Sequence, residues 1–140
     1  MRFMLQVRAD RNTEGNILPK KELFAAMARF NEEMVKAGVM RAADGLQPSA
    51  KGARVSYAGA ERTVTDGPFE PEELIAGFWI IEVNSKEEAI AWAKRAPFEE
   101  GTVEIRQFFE VSDFPPEILS PEDAAREQAW RDRQKTARPN

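Results

Sequence analysis

The chain has 140 residues, of which 42% are hydrophobic and 31% charged, a composition typical of one folded domain with a single core. Its formal net charge of -4 argues against direct binding to nucleic acid or to acidic membranes, and no apolar run approaches the ~20 residues of a membrane span. The chain has no Cys and no His, which excludes disulfides, a thiol nucleophile, a Ser-His-Asp triad and the usual zinc ligand sets.

The N-terminal part predicts a strand followed by a helix. Residues 2–8 alternate between an apolar and a mixed side, which is typical of a strand and not of a signal peptide. Residues 10–15 read as a polar loop. Pro19 marks the start of a helix and Gly38 its end as the C′ residue. The apolar stripe predicted for this helix is Leu23, Phe24, Met27, Phe30, Met34 and Val35.

The middle of the chain predicts an extended run, a hairpin and a central strand. Residues 39–43 are extended, and two short alternating segments at 53–58 and 62–65 predict a hairpin. The sequence Asp66-Gly67-Pro68 has strong turn chemistry, because Gly accepts positive φ and Pro fixes φ. Residues 77–83 follow as the most strand-like run of the protein.

The C-terminal part predicts a helix, a strand and a final polar helix. Ser85 and Glu88 form a capping box, and Pro97 stops the helix that follows. Residues 103–111 predict the last strand. Ser120-Pro121 then starts a polar helix, with acidic residues in its first turn and basic residues in its last turns.

The order of these elements predicts an α+β fold of the ferredoxin-like β-α-β-β-α-β type, with an inserted hairpin and a C-terminal helix. Residues 1–111 are expected to form the domain, and residues 112–140 a linker and the C-terminal helix. Phe3, Leu5, Val7, Val103 and Ile105 form an apolar set that should lie beneath the two helices.

The opposite side of the sheet mixes aromatic, aliphatic and charged side chains. Its predicted members are Met4, Gln6, Arg8, Phe78, Ile80, Glu82, Glu104, Arg106 and Phe108. This surface is too apolar to be bare and too charged to be a dry core. We therefore predict a homodimer in which a second copy covers it, sheet against sheet, and leaves a polar pocket between the two copies.

Two segments of the chain carry a family resemblance. The sequence Val64-Thr65-Asp66-Gly67-Pro68-Phe69, together with Leu74-Ile75-Ala76-Gly77-Phe78, resembles the signature of DGPF-domain proteins of the YCII-related superfamily. The resemblance spans roughly residues 1–111 and implies a dimeric α+β barrel. Activities of the superfamily include a dehydrochlorinase-like one, and the activity proposed for the YCII group uses a His with an Asp. Similar DGPF proteins can carry His where Gln47 stands. Because this chain has no His, the His–Asp pair of the YCII group cannot be carried over to any of its residues.

The candidate site residues follow from the mixed surface, from the signature turn and, for Gln47, from the comparison with similar DGPF proteins. The candidate catalytic residues are Asp66 and Glu82, and the candidate ligand-binding residues are Arg8, Gln47, Phe78 and Arg106. An Arg at this surface could hold an anion through two hydrogen bonds, or belong to a structural ion-pair network. Asp66 could act as a pocket carboxylate or only cap its own turn. No metal or cofactor is predicted.

The function favoured by the sequence is the binding of a small organic molecule, anionic or aromatic, in the dimer pocket of a cytoplasmic protein. Chemistry of the lyase or isomerase type would accompany it, with proton transfer by Asp66 or Glu82. Two alternatives stay open: a non-catalytic regulatory or interaction module linked to a sigma factor, and a family member that kept the fold and lost the activity.

Overall fold

The computed structural model describes residues 1–136, with the backbone alone for Thr136. The elements in chain order are β1 (Arg2–Arg8), α1 (Arg11–Glu14), α2 (Lys21–Lys36), β2 (Met40–Gly45), β3 (Ala53–Ala58), β4 (Glu61–Asp66), β5 (Ile75–Glu82), α3 (Lys86–Arg95), β6 (Val103–Gln107) and α4 (Pro121–Thr136). Short 3-10 helices lie at Ser49–Lys51, Pro71–Glu73 and Val111–Asp113. No helix among these residues is long and apolar enough to cross a membrane.

The strands form two separate antiparallel sheets. The larger has the order β2-β5-β1-β6, and the smaller is the two-stranded hairpin of β3 and β4. Because β2 and β5 are neighbours, the hairpin is an insertion in the connection between them. This arrangement confirms the predicted α+β, ferredoxin-like fold.

One face of the larger sheet packs against the helices and forms the core. The buried residues are Phe3, Leu5, Phe30, Met34, Trp79, Ile81, Val83 and Ala89. Val7, Val103 and Ile105 pack against this cluster, which confirms the apolar set predicted from strand alternation. The rings of Phe30 and Trp79 meet edge to face with their centroids 5.4 Å apart, and the Trp79 indole N–H donates to Asn31 Oδ1 at 2.8 Å.

Helix α2 is less deeply packed than its apolar stripe predicts. Gly38 has φ +74°, which confirms it as the residue that ends the helix. Phe24 and Val35, however, are 68% and 62% exposed, so their prediction as core residues was wrong. At 3.6 residues per turn they lie about 80 to 100° around the helix axis from the buried Met34, outside the face that the sheet covers.

Two segment boundaries also differ from the predictions. The predicted loop at residues 10–15 contains α1, because Asp10 Oδ1 accepts from Thr13 N and Thr13 Oγ1 accepts from Asp10 N, both at 2.9 Å. The last strand ends at Gln107 rather than at Val111. Strand alternation therefore does not place Phe108 on the sheet.

Ser85 caps the N-terminus of α3, as predicted, but Glu88 bonds to a different backbone N–H than a capping box requires. Ser85 Oγ accepts from Glu88 N at 3.1 Å. The Glu88 carboxylate accepts from the backbone N–H of Asn84 at 2.9 Å, one residue before the cap.

The contacts within the chain define two compact units, Met1–Gln107 and a second unit that starts at Phe108. In the second unit, Ser120 Oγ accepts from Asp123 N at 3.2 Å at the start of α4, as predicted. Arg131 on α4 donates to the Phe109 carbonyl at 2.6 Å and pairs with Glu110 at 3.7 Å. The sequence division after residue 111 stays a prediction, and residues 137–140 lie outside the described part.

Candidate functional site

The sheet face opposite the helices is named the open face. It carries Met4, Gln6, Ala42, Asp44, Phe78, Ile80, Glu82, Glu104 and Arg106, as the register and the alternation of the strands require. Arg8 is assigned to it by alternation along β1; the pairing with β5 shifts between Val7 and Arg8, and Arg8 lies opposite Ile75. At its centre Met4 lies opposite Ile80, and Gln6 lies opposite Phe78. All four are half-buried in the single chain. The open face thus has an apolar centre with one amide side chain in it.

Glu82 lies at one end of the open face and is engaged in an ion pair. Arg41 places Nη2 3.2 Å from Glu82 Oε2 and Nε 3.5 Å from Oε1, and both side chains are 30% exposed. Arg41 reaches Glu82 because the pairing of β2 with β5 shifts between Met40 and Ala42. Both oxygens of this candidate catalytic carboxylate therefore already face a cation.

Arg106 lies on the edge strand β6, opposite Met4. Its Nη1 is 3.3 Å from Glu104 Oε2, and the side chains are 68% and 43% exposed, respectively. This pair is solvated and leaves donors of the guanidinium free for a ligand.

Arg8 lies at the other end of the open face. Its Nη2 donates to the backbone carbonyl of Glu72 at 2.6 Å, and it forms no ion pair within residues 1–136. The guanidinium is thus held in position by a neutral acceptor, which leaves its charge uncompensated. Asp44, beside Phe78 on β2, likewise has no hydrogen bond or ion pair from its side chain in the described chain.

Asp66 and Gln47 lie outside the larger sheet, so the structure does not place them on the same surface as Arg8, Phe78, Glu82 and Arg106. Asp66 is the last residue of β4, opposite Ala53, and is exposed. Its side chain makes no hydrogen bond among the described residues. Gln47 is exposed in the connection between β2 and the 3-10 helix at Ser49–Lys51.

A three-residue clasp, formed by Glu14, Ser49 and Phe69, holds the signature turn. The Glu14 carboxylate accepts from the backbone N–H of Ser49 at 3.0 Å and from the Ser49 hydroxyl. The same hydroxyl accepts from the backbone N–H of Phe69 at 2.9 Å. The clasp ties α1, the 3-10 helix and the turn after β4 into one junction.

Gly67 in this turn is required by its contact with Ser49. A Cβ at Gly67 would overlap the Ser49 carbonyl oxygen. The backbone N–H of Gly67 donates to the Gly52 carbonyl at 3.1 Å. The glycine of the Asp66-Gly67-Pro68-Phe69 sequence is therefore explained by close approach of two backbone segments.

Arg54 attaches the hairpin to the segment that follows the turn. Its guanidinium carbon lies 3.8 Å from the Phe69 ring centroid, and its Nη2 is 3.1 Å from Glu73 Oε2. The stacking of a planar cation on Phe69 together with an ion pair fixes the base of β3.

Sequence reasoning missed Glu14, Ser49 and Asp44 as parts of these sites. Asp44 was not found by alternation along β2, because the pairing with β5 shifts between Met40, which packs against the core, and Ala42. The pattern Asp10-x-x-Thr13 indicates the helix that positions Glu14. The contact between Glu14 and Ser49 spans 35 residues and has no local signal.

The four-stranded antiparallel sheet, with two helices on one face and an inserted hairpin, defines an α+β protein of the ferredoxin-like class. The family model of the YCII-related domain matches residues 1–112. The chain therefore belongs to the YCII-related family. Comparison with curated proteins gives no match to the chain.

Proposed function

We propose that this protein forms a homodimer and binds a small organic molecule, anionic or aromatic, between the open faces of the two copies. The observation that carries the proposal is the half-buried centre of the open face. Met4, Phe78 and Ile80 expose apolar surface there, and charged side chains surround them. A second copy would remove that apolar surface from water and leave the charged rim to line a pocket.

Arg8 is the residue that we expect to hold an anionic group. Its guanidinium has five N–H donors, of which one donates to the Glu72 carbonyl, so two others can donate to a carboxylate. Phe78 lies opposite Gln6, one alternate position along β1 from Arg8, and offers a ring beside the anion. Arg106 and Gln47 are proposed as further ligand contacts at the margin of the pocket.

Proton transfer at this site is proposed for a carboxylate, since the chain has neither His nor Cys and the residues of the open face include no Lys or Tyr. Arg41 engages both Glu82 oxygens, whereas both Asp66 oxygens are free to meet a ligand. We therefore propose Asp66 as the preferred proton acceptor in a lyase- or isomerase-type reaction, with Glu82 as the less favoured candidate for the same role.

Binding can be tested by calorimetry with benzoate as the probe and light scattering for the oligomeric state. We expect a dimer, and a loss of affinity of roughly tenfold or more for Arg8→Gln, because a charge-assisted pair is removed. Arg29→Gln, an exposed arginine on α2, is the matched control and should bind as the wild type does. A monomeric protein, or equal affinity for Arg8→Gln and wild type, would contradict the proposal.

The absence of His and Cys favours a second candidate, a module that binds without turnover. Such a module could act as a regulatory partner of a sigma factor, or be a family member that has lost its activity. Stoichiometric capture of a purified sigma factor would support the first form. Turnover of a bound molecule that disappears in Asp66→Asn, with binding retained, would favour the enzyme instead.

A further inference from the structure

The hairpin of β3 and β4 has one side without a partner in its own chain. Every residue of both strands is exposed. Val55 pairs with Val64 and Tyr57 pairs with Arg62, so the side chains of Val55, Val64 and Tyr57 lie on one side of the hairpin. These three side chains are 48%, 65% and 73% exposed, respectively. A two-stranded hairpin is marginally stable in water without a further surface to pack on. This side of the hairpin therefore needs cover.

The opposite side of the hairpin is attached to its own subunit. Arg54 projects from that side onto Phe69 and Glu73. Because successive residues of a strand point to opposite sides, this attachment directs Val55 and Tyr57 away from the subunit's own signature turn. The uncovered side is thus turned outward.

Charge complementarity identifies what covers it. Asp66 shares the uncovered side with Val64, two residues earlier on β4, and forms no ion pair within residues 1–136. Arg8, at the end of the open face, has no ion pair in the same part of the chain. We propose that the hairpin of one copy lies on the Arg8 end of the open face of a second copy, with Asp66 of one chain facing Arg8 of the other.

The spacing of the two surfaces supports this register. Alternate residues of a strand are about 6.6 to 6.8 Å apart. With Asp66 facing Arg8, Val64 faces Gln6 at the Arg8 end of the open face, and Met4 and Ile80 are left for the sheet of the second copy. The guanidinium of Arg8 can serve Asp66 and a ligand anion together, because it has five donors.

The size of the open face also favours an exchange of hairpins. The open face has four strands, and an exchanged hairpin adds two more strands to the surface that each copy contributes to the interface. The inference rests on the proposed pocket and makes it composite: Arg8 and Phe78 come from one subunit and Asp66 from the other.

Charge exchange between separate chains tests this arrangement by light scattering, without any ligand. Asp66→Lys alone and Arg8→Asp alone each place like charges opposite one another, and each should raise the dimer dissociation constant on the order of tenfold or more. A mixture of the two variants should form heterodimers of near wild-type affinity. Mixing restores the dimer only if the two residues meet across chains. If a chain carrying both Arg8→Asp and Asp66→Lys dimerises with wild-type affinity while the mixture of single variants does not, the proposal is overturned.

Disulfide trapping gives an independent readout, because the chain has no Cys of its own. Val64→Cys and Gln6→Cys proteins, one of them tagged for size, are mixed and oxidised, and we expect a cross-linked heterodimer. Phe24→Cys with Gln6→Cys is the control and should not cross-link. A wild-type dimer that gives no Val64–Gln6 cross-link would overturn the hairpin exchange and leave the proposed pocket standing, whereas a monomeric wild type would overturn both.

Discussion

The carbonyl oxygen of Ser49 occupies the space that a Cβ on Gly67 would need. The two residues belong to different segments, the 3-10 helix after β2 and the turn after β4, and their backbones touch. The signature turn is therefore shaped by a neighbouring segment as much as by its own Gly and Pro. The Glu14 carboxylate also holds that segment, by accepting from the backbone N–H of Ser49.

Gly67→Ala should destabilise the protein by about 1–3 kcal/mol, because the added methyl group has no room and a backbone segment must move. Gly45→Ala is the matched control, since a Cβ there meets nothing within 4 Å. Urea denaturation measures both variants, and the control should stay within about 0.5 kcal/mol of wild type. Equal stability of the two variants would mean that the turn yields to a side chain at no cost.

Ser49→Ala should cost about 1–3 kcal/mol of unfolding free energy, because it removes the hydroxyl that joins Glu14 to the backbone of Phe69. Ser56→Ala, an exposed serine of β3, provides the comparison and should be close to neutral. Chemical denaturation of both variants decides the matter. A neutral Ser49→Ala would show that the clasp is dispensable.

Arg54→Ala should loosen the hairpin while leaving the core intact. The substitution removes both the stacking on Phe69 and the pair with Glu73. We expect faster amide hydrogen exchange in β3 and β4, with little change in β1 and β5. Arg54→Lys should restore only part of the protection, because an ammonium group lacks the planar face of a guanidinium. Unchanged exchange in Arg54→Ala would contradict this anchoring role.

The Arg41–Glu82 pair should be worth more than the Arg106–Glu104 pair. The side chains of the first are 30% exposed and those of the second are 68% and 43% exposed, so water screens the second pair more strongly. Double-mutant cycles with Gln at each position should give coupling of about 0.5–1 kcal/mol for the first pair and near zero for the second. The first coupling should also shrink in 1 M salt. Equal couplings would show that burial does not separate the two pairs.

Strand alternation and local capping chemistry were enough to predict the architecture. Phe3 and Leu5 on β1, with Val103 and Ile105 on β6, specify the helix-covered face through a period of two, and the same rule places Phe78 and Arg106 on the other.

Features that depend on distant segments could not be predicted in the same way. Phe24 and Val35 have the spacing of core residues, yet the width of helix surface that a sheet covers is a tertiary property. Arg41 meets Glu82 only because of an irregularity between β2 and β5, which interrupts the alternation that sequence reasoning uses. Asp66 was joined to the site through the signature segment and Gln47 through comparison with similar DGPF proteins, and the structure places both outside the larger sheet.

The insertion between β2 and β5 has a consequence for how this scaffold can be engineered. Because those strands are antiparallel neighbours, residues 46–74 amount to one very long hairpin connection. A short Asn-Gly turn could replace residues 46–74 without changing the path of any strand of the larger sheet. The hairpin is thus an insertion that can be shortened, lengthened or replaced while the strand order of the four-stranded sheet stays the same.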